Sequence, residues 1–67
     1  MREKTGYYDR HGKEIRDGDR LKAIFATGTI LDGFVDTDFN GEWILKGEYW
    51  SAPLHVLDDV EILEGDD

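Results

Sequence analysis

The chain has 67 residues, no cysteine, and 16 acidic against 8 basic residues, a net charge of −8. These figures confine it to one small domain, 1–67, and exclude disulfide staples and a cysteine-based zinc site. No run approaches the ~20 apolar residues of a membrane span, and the opening MREKTGYYD has charges but no apolar stretch of a secretory signal, so a soluble protein of the cell interior is expected.

The charge is uneven. Residues 1–22 hold seven bases and five acids, whereas residues 23–67 hold Lys46 alone against eleven acids. Such a field repels phosphate backbones and favours cationic partners. A chain this short hides only about 60% of the surface that its unfolded form exposes. Its stability is therefore expected to come from the aromatic set Tyr7, Tyr8, Phe25, Phe34, Phe39, Trp43, Tyr49 and Trp50, large enough for one compact core, from close strand pairing, or from self-association.

In chain order, Thr5–Lys22 comes first, with turns at Asp9–Gly12 and Arg16–Asp19 around the step Lys13-Glu14-Ile15. Gly12 and Gly18 stand where chain reversal asks for positive φ. Arg20–Ala26 reads as a strand with Leu21, Ala23 and Phe25 on one face. The Ala26-Thr27-Gly28 turn leads to a second strand, Thr29–Thr37. Burying Ile30, Asp32, Phe34 and Asp36 would bury two carboxylates, so Leu31 and Val35 should face inward. A bulge at Gly33 would instead bring Phe34 in. Asp38-Phe39-Asn40-Gly41 reverses the chain, with Asn-Gly a strong hairpin signal. Glu42–Lys46 returns with Trp43 and Leu45 on one face, and Gly47 marks a bulge or turn before a strand at Glu48–Ala52. Residues 51–57 carry a Ser cap, an early Pro and apolar spacing suited to one 3₁₀ turn. Asp59–Leu63 is a last strand with Val60 and Ile62 inward, followed by a frayed tail, 64–67. Turn signals every eight to ten residues and no helical periodicity predict an all-β fold: a five-stranded SH3-like barrel with one short 3₁₀ turn before the last strand. An OB-like barrel of the same size is the alternative.

The opening run, Thr5-Gly6, Asp9, Gly12, Ile15 and Gly18-Asp19, has the pattern T-G-x-x-D-x-x-G-x-x-I-x-x-G-D. In this it resembles the YopX-like family of phage and prophage proteins, over about a quarter of the chain. The resemblance implies a β-rich fold, a mobile-element origin and a bacterial host cytoplasm. It implies no catalytic residue.

Asp36-Thr37-Asp38-Phe39-Asn40-Gly41 matches the first six positions of a calcium loop, D-x-[DN]-x-[DN]-G, but Gly47 falls where the bidentate Glu belongs. A hairpin turn built from Asp, Asn and Gly explains the same residues without metal, and both readings stay open. His11 and His55 lie in turns, and Ser51 near His55 lacks an evident orienting acid. No phosphate loop or dinucleotide fingerprint is present. Trp43, Tyr49 and Trp50 are the candidates for base stacking, but a basic groove is missing from the second half, so direct nucleic-acid binding is not expected.

A non-enzymatic protein–protein interaction module without cofactor or metal is therefore expected, with self-association as a further expectation. The candidate partner-binding residues are Asp32, Phe34, Asp36, Asp38 and Glu42. With Glu48, the acids among them suggest an alternative: a nucleic-acid mimic that blocks a basic, host-encoded DNA-binding protein.

Overall fold

The computed structural model describes residues 2–64. The all-β class holds, but seven strands form two sheets where one five-stranded barrel is expected. β1 (Lys4–Tyr8) and β2 (Glu14–Arg16) make a two-stranded sheet. The five expected strands make the larger sheet: β3 (Arg20–Ile24), β4 (Ile30–Thr37), β5 (Trp43–Lys46), β6 (Ser51–Pro53) and β7 (Asp58–Glu64). Among the described residues its order is β6-β5-β4-β3-β7, so β4 is central and β6 and β7 stand at the two ends of the order. A single 3₁₀ turn, Leu54–Val56, precedes β7. No helix among the described residues is long and apolar enough to cross a membrane.

One turn design closes three of the hairpins. In Asp9–Lys13, Phe25–Thr29 and Asp38–Glu42 the first residue's N–H donates to the fifth residue's carbonyl at 2.8–3.0 Å. The fourth residue, always Gly, donates back to the first carbonyl at 2.8–3.1 Å. Gly12, Gly28 and Gly41 all have positive φ, +77° to +88°. This is a type I turn followed by a glycine bulge, the hairpin connection in which only Gly enters the left-handed region without cost. Where the first residue is Asp, its carboxylate adds two bonds. Asp9 Oδ1 accepts the His11 and Lys13 N–H groups, and Asp38 Oδ1 accepts those of Asn40 and Glu42, all at 2.9 Å.

β4 runs without a bulge opposite β3, Leu21 facing Gly33 and Lys22 facing Asp32. Val35 is buried and Leu31 half-buried, while Ile30 and Phe34 are exposed. The cost of burying two carboxylates thus decides the phase of the central strand. Gly33 serves a close backbone approach: a Cβ there would lie 2.5 Å from the Lys46 carbonyl oxygen.

The core is aliphatic. Ile15, Leu21, Val35, Leu45, Leu54 and Leu57, with Ala23 and Ala52, form one buried cluster. The expected aromatic core is corrected accordingly. Tyr7, Phe25, Trp43 and Trp50 pack partly buried at its margin, while Tyr8, Phe34, Phe39 and Tyr49 are exposed. Phe39 and Tyr49 sit on turns and project away from the core. Two further expectations change near β6. Residues 48–50 form the turn, with Gly47 N–H donating to Trp50 O at 2.9 Å, so the strand begins only at Ser51. Ser51 lies in that strand and caps nothing; Pro53 precedes the 3₁₀ turn without a side-chain cap. Of the expected frayed tail, Glu64 ends β7 opposite Arg20; the rest lies outside the described residues.

Candidate functional site

The motif of the opening run is consumed by folding. Thr5 Oγ1 donates to the Ile15 carbonyl at 2.7 Å and accepts the Tyr7 N–H at 3.1 Å. Gly6, at φ +83°, sits in the interval where the β1–β2 register shifts. Asp9 is 8% exposed, and beyond its own turn its Oδ2 accepts the Ile62 N–H of β7 at 3.3 Å. The neighbouring Arg10 N–H donates to Val60 O at 2.7 Å, so the turn is stitched to the sheet edge. Burial by itself pushes the Asp9 carboxyl up. The N–H groups of Lys13, Ile62 and His11, with the His11 imidazole, more than reverse this and hold its pKa below the ordinary value.

Asp19 is 2% exposed and caps the second turn. Its Oδ2 accepts the Arg16 N–H at 2.9 Å and its Oδ1 the Arg2 guanidinium. Ile15 enters the core. Each motif residue therefore has a structural partner or a backbone role, and the run is a docking device between the hairpin and the sheet.

What remains for function is the outer face of the sheet, which carries Phe34 on the central strand. Phe34 is 56% exposed, opposite Arg20 of β3 and Lys46 of β5. A groove of ≈ 430 Å³ runs here, lined by Arg20, Asp32, Phe34, Asp36, Lys46 and Glu48 among others. Arg20 grips Asp32 with two parallel bonds, Nε to Oδ1 and an Nη to Oδ2, both 3.1 Å. The bonds from Arg20 are the main reason that the Asp32 pKa lies below the ordinary value, with Lys22, directly across the ladder, adding to the effect.

The structure thus places Asp32, Phe34 and Asp36 on the groove. Asp38 and Glu42 stand beyond the strand end, flanking the β4–β5 turn. Asp36 Oδ1 accepts the Thr37 N–H at 2.8 Å, and Glu42 Oε1 lies 3.5 Å from His55 Nδ1. Sequence reasoning missed Arg20 and Lys46 as members of this face. Their membership follows from cross-strand register, Arg20 and Lys46 flanking Phe34, which the alternation along β4 alone does not give.

The Asp36–Gly41 run forms a hairpin turn whose Asp38 oxygen is engaged by backbone amides. Among the described residues, no three His, Cys, Asp or Glu side chains converge as metal ligands. Trp43 and Trp50 pack against the core margin, whereas Tyr49 stands 93% exposed on a turn. His11 Nε2 lies 3.7 Å from Glu61 Oε2 on the surface.

Compared with known proteins, the chain matches no family model, and no curated protein or solved structure shows significant similarity to it.

Proposed function

We propose that this chain is a non-enzymatic protein–protein interaction module that docks through the outer face of its five-stranded sheet. The observation that carries the proposal is Phe34, a large apolar side chain more than half exposed on the central strand. Strands on both sides hold it in register, so it is presented with little ordering entropy left to lose. The charged groups around it, Arg20 with Asp32, Lys46, Asp36 and Glu48, supply the polar rim of an interface with an aromatic anchor at its centre. Covering Phe34 contributes about 2 kcal/mol to such a contact.

The element order, with a 3₁₀ turn before the last strand, supports an SH3-like arrangement. The opening motif supports a phage or prophage origin and a bacterial cytoplasmic setting. A phosphate-backbone mimic receives less support, because Arg20, Lys22 and Lys46 interrupt the row of carboxylates.

Affinity capture from bacterial lysate tests the proposal, with wild type and Phe34→Ser compared at equal loading. The expected result is a discrete partner held by the wild type and lost with the variant while the variant's fold is unchanged. Equal capture by both proteins would refute this face as the binding surface.

A further inference from the structure

Phe39 is 108% exposed, at the tip of the β4–β5 turn. The molecule contains its own control for this residue. The same turn, with the same pair of backbone bonds, is built twice more, with Arg10 and Ala26 at the corresponding position. The turn therefore does not need an aromatic there, and Phe39 contributes nothing to the core cluster or its margin. The Asp38 carboxylate, bonded to two amides of the loop, keeps the tip stiff.

At the other end of β4 lies a receptor of matching character. A groove of ≈ 210 Å³ is lined by Phe25, Thr29, Leu31, Trp50, Ser51 and Ala52, all uncharged. This volume is on the scale of one aromatic side chain. Tip and groove are separated by the eight residues of β4, about 25 Å at ~3.3 Å per residue, on a molecule 33 Å long. A chain cannot fill its own groove.

We propose that the Phe39 tip of one copy seats in the Phe25–Leu31–Trp50 groove of a second copy, so that the chain assembles head to tail. The contact is heterologous and grows into rings or open strings. It is small, so the association is weak and concentration-dependent. The choice of this groove also follows from charge. Asp38 and Glu42 flank the tip, and no carboxylate lines this groove, so the two surfaces meet without like-charge repulsion at the contact. Between like-charged copies held by apolar contact, salt screens repulsion and strengthens assembly. This is the opposite of binding to a basic partner.

Light scattering on the whole chain at increasing concentration tests the proposal, with two single variants. Phe39→Ser removes the tip and keeps the groove; Thr29→Glu sets a carboxylate at the groove and keeps the tip. The wild type is expected to rise in mass toward the millimolar range, more so at high salt, while each variant stays at its 7.7 kDa monomer. An equimolar mixture of the two variants is expected to form a dimer and nothing larger, because one intact tip meets one intact groove. A wild type monomeric throughout, variants that assemble like the wild type, or a mixture that stays monomeric would each overturn the proposal. These results do not involve Phe34, whose part in partner binding is decided by lysate capture.

Discussion

Asp9 and Asp38 build one turn in two environments, and replacing each by Ala separates the turn's own value from the value of docking it. At Asp38 the loss frees two N–H groups on an exposed loop, where water takes over. The net cost of such bonds is about 0.5–1 kcal/mol. At Asp9 the same two bonds are lost, and a third, from Ile62, connects the turn to β7. With Asp9 buried and Ile62 half-buried, the Ile62 donor in particular is left without its acceptor, and an unsatisfied buried donor costs about 1–3 kcal/mol on top of the turn's own bonds. Partial relaxation brings the expected loss for Asp9→Ala to about 2–4 kcal/mol. A domain of this size has only roughly 3–10 kcal/mol in total, and each kcal/mol lowers Tm by about 4–8 °C. Thermal unfolding followed by circular dichroism should therefore place Asp9→Ala at least about 4 °C below Asp38→Ala. Equal melting temperatures would refute the claim that the opening turn is stitched to the sheet edge.

Acid sensitivity should track the same residue. The pKa of Asp9 and that of Asp32 are both depressed, so each adds stability above its unfolded value of about 3.9 and loses it as pH falls through the lower folded value. Urea unfolding between about pH 5 and pH 2 should show stability falling in the wild type and a flatter profile in Asp9→Asn. Asp32→Asn should change it less, since an exposed pair such as Arg20–Asp32 contributes at most about 1 kcal/mol; parallel wild-type and Asp9→Asn profiles would contradict this. Gly33→Ala drives a Cβ to 2.5 Å from the Lys46 carbonyl and should cost about 1–3 kcal/mol in a chemical melt, by the overpacking that rigid backbone cannot relieve. Gly47→Ala sets its Cβ against Cε2 of the Trp50 ring, so the ring must move outward. Its tryptophan emission should shift to the red, and an unchanged spectrum would show that the ring does not lie on Gly47.

How far the sequence could be read depended on where each side chain's constraint came from. The central strand was legible because its alternation offered two faces and only one spared Asp32 and Asp36 from burial. The three glycine-bulge turns were legible as local chemistry. The β1–β2 hairpin was not: its pairing register shifts between Lys4 and Tyr8, where Gly6 takes positive φ, and nothing in the local sequence announces that shift. The burial of Asp9 and Asp19 was likewise hidden, because a turn-forming Asp looks the same whether its carboxylate faces water or a neighbouring strand. The aromatics misled through their size alone. Those on turns, Phe39 and Tyr49, point outward, and aliphatic residues make up the buried cluster. Of the candidate site, Asp32, Phe34 and Asp36 could be grouped by strand parity, whereas Arg20 and Lys46 joined them only through cross-strand register.

The central claim is that the outer sheet face around Phe34 is where this protein meets its partner. A photo-crosslinking phenylalanine analogue at position 34, irradiated in bacterial cells, tests it most directly, with the same analogue at exposed Lys13 as reference. The account predicts a discrete adduct heavier than the chain from position 34 and none of comparable yield from position 13. Equal, diffuse labelling from both positions, or an adduct from position 13 alone, would contradict it.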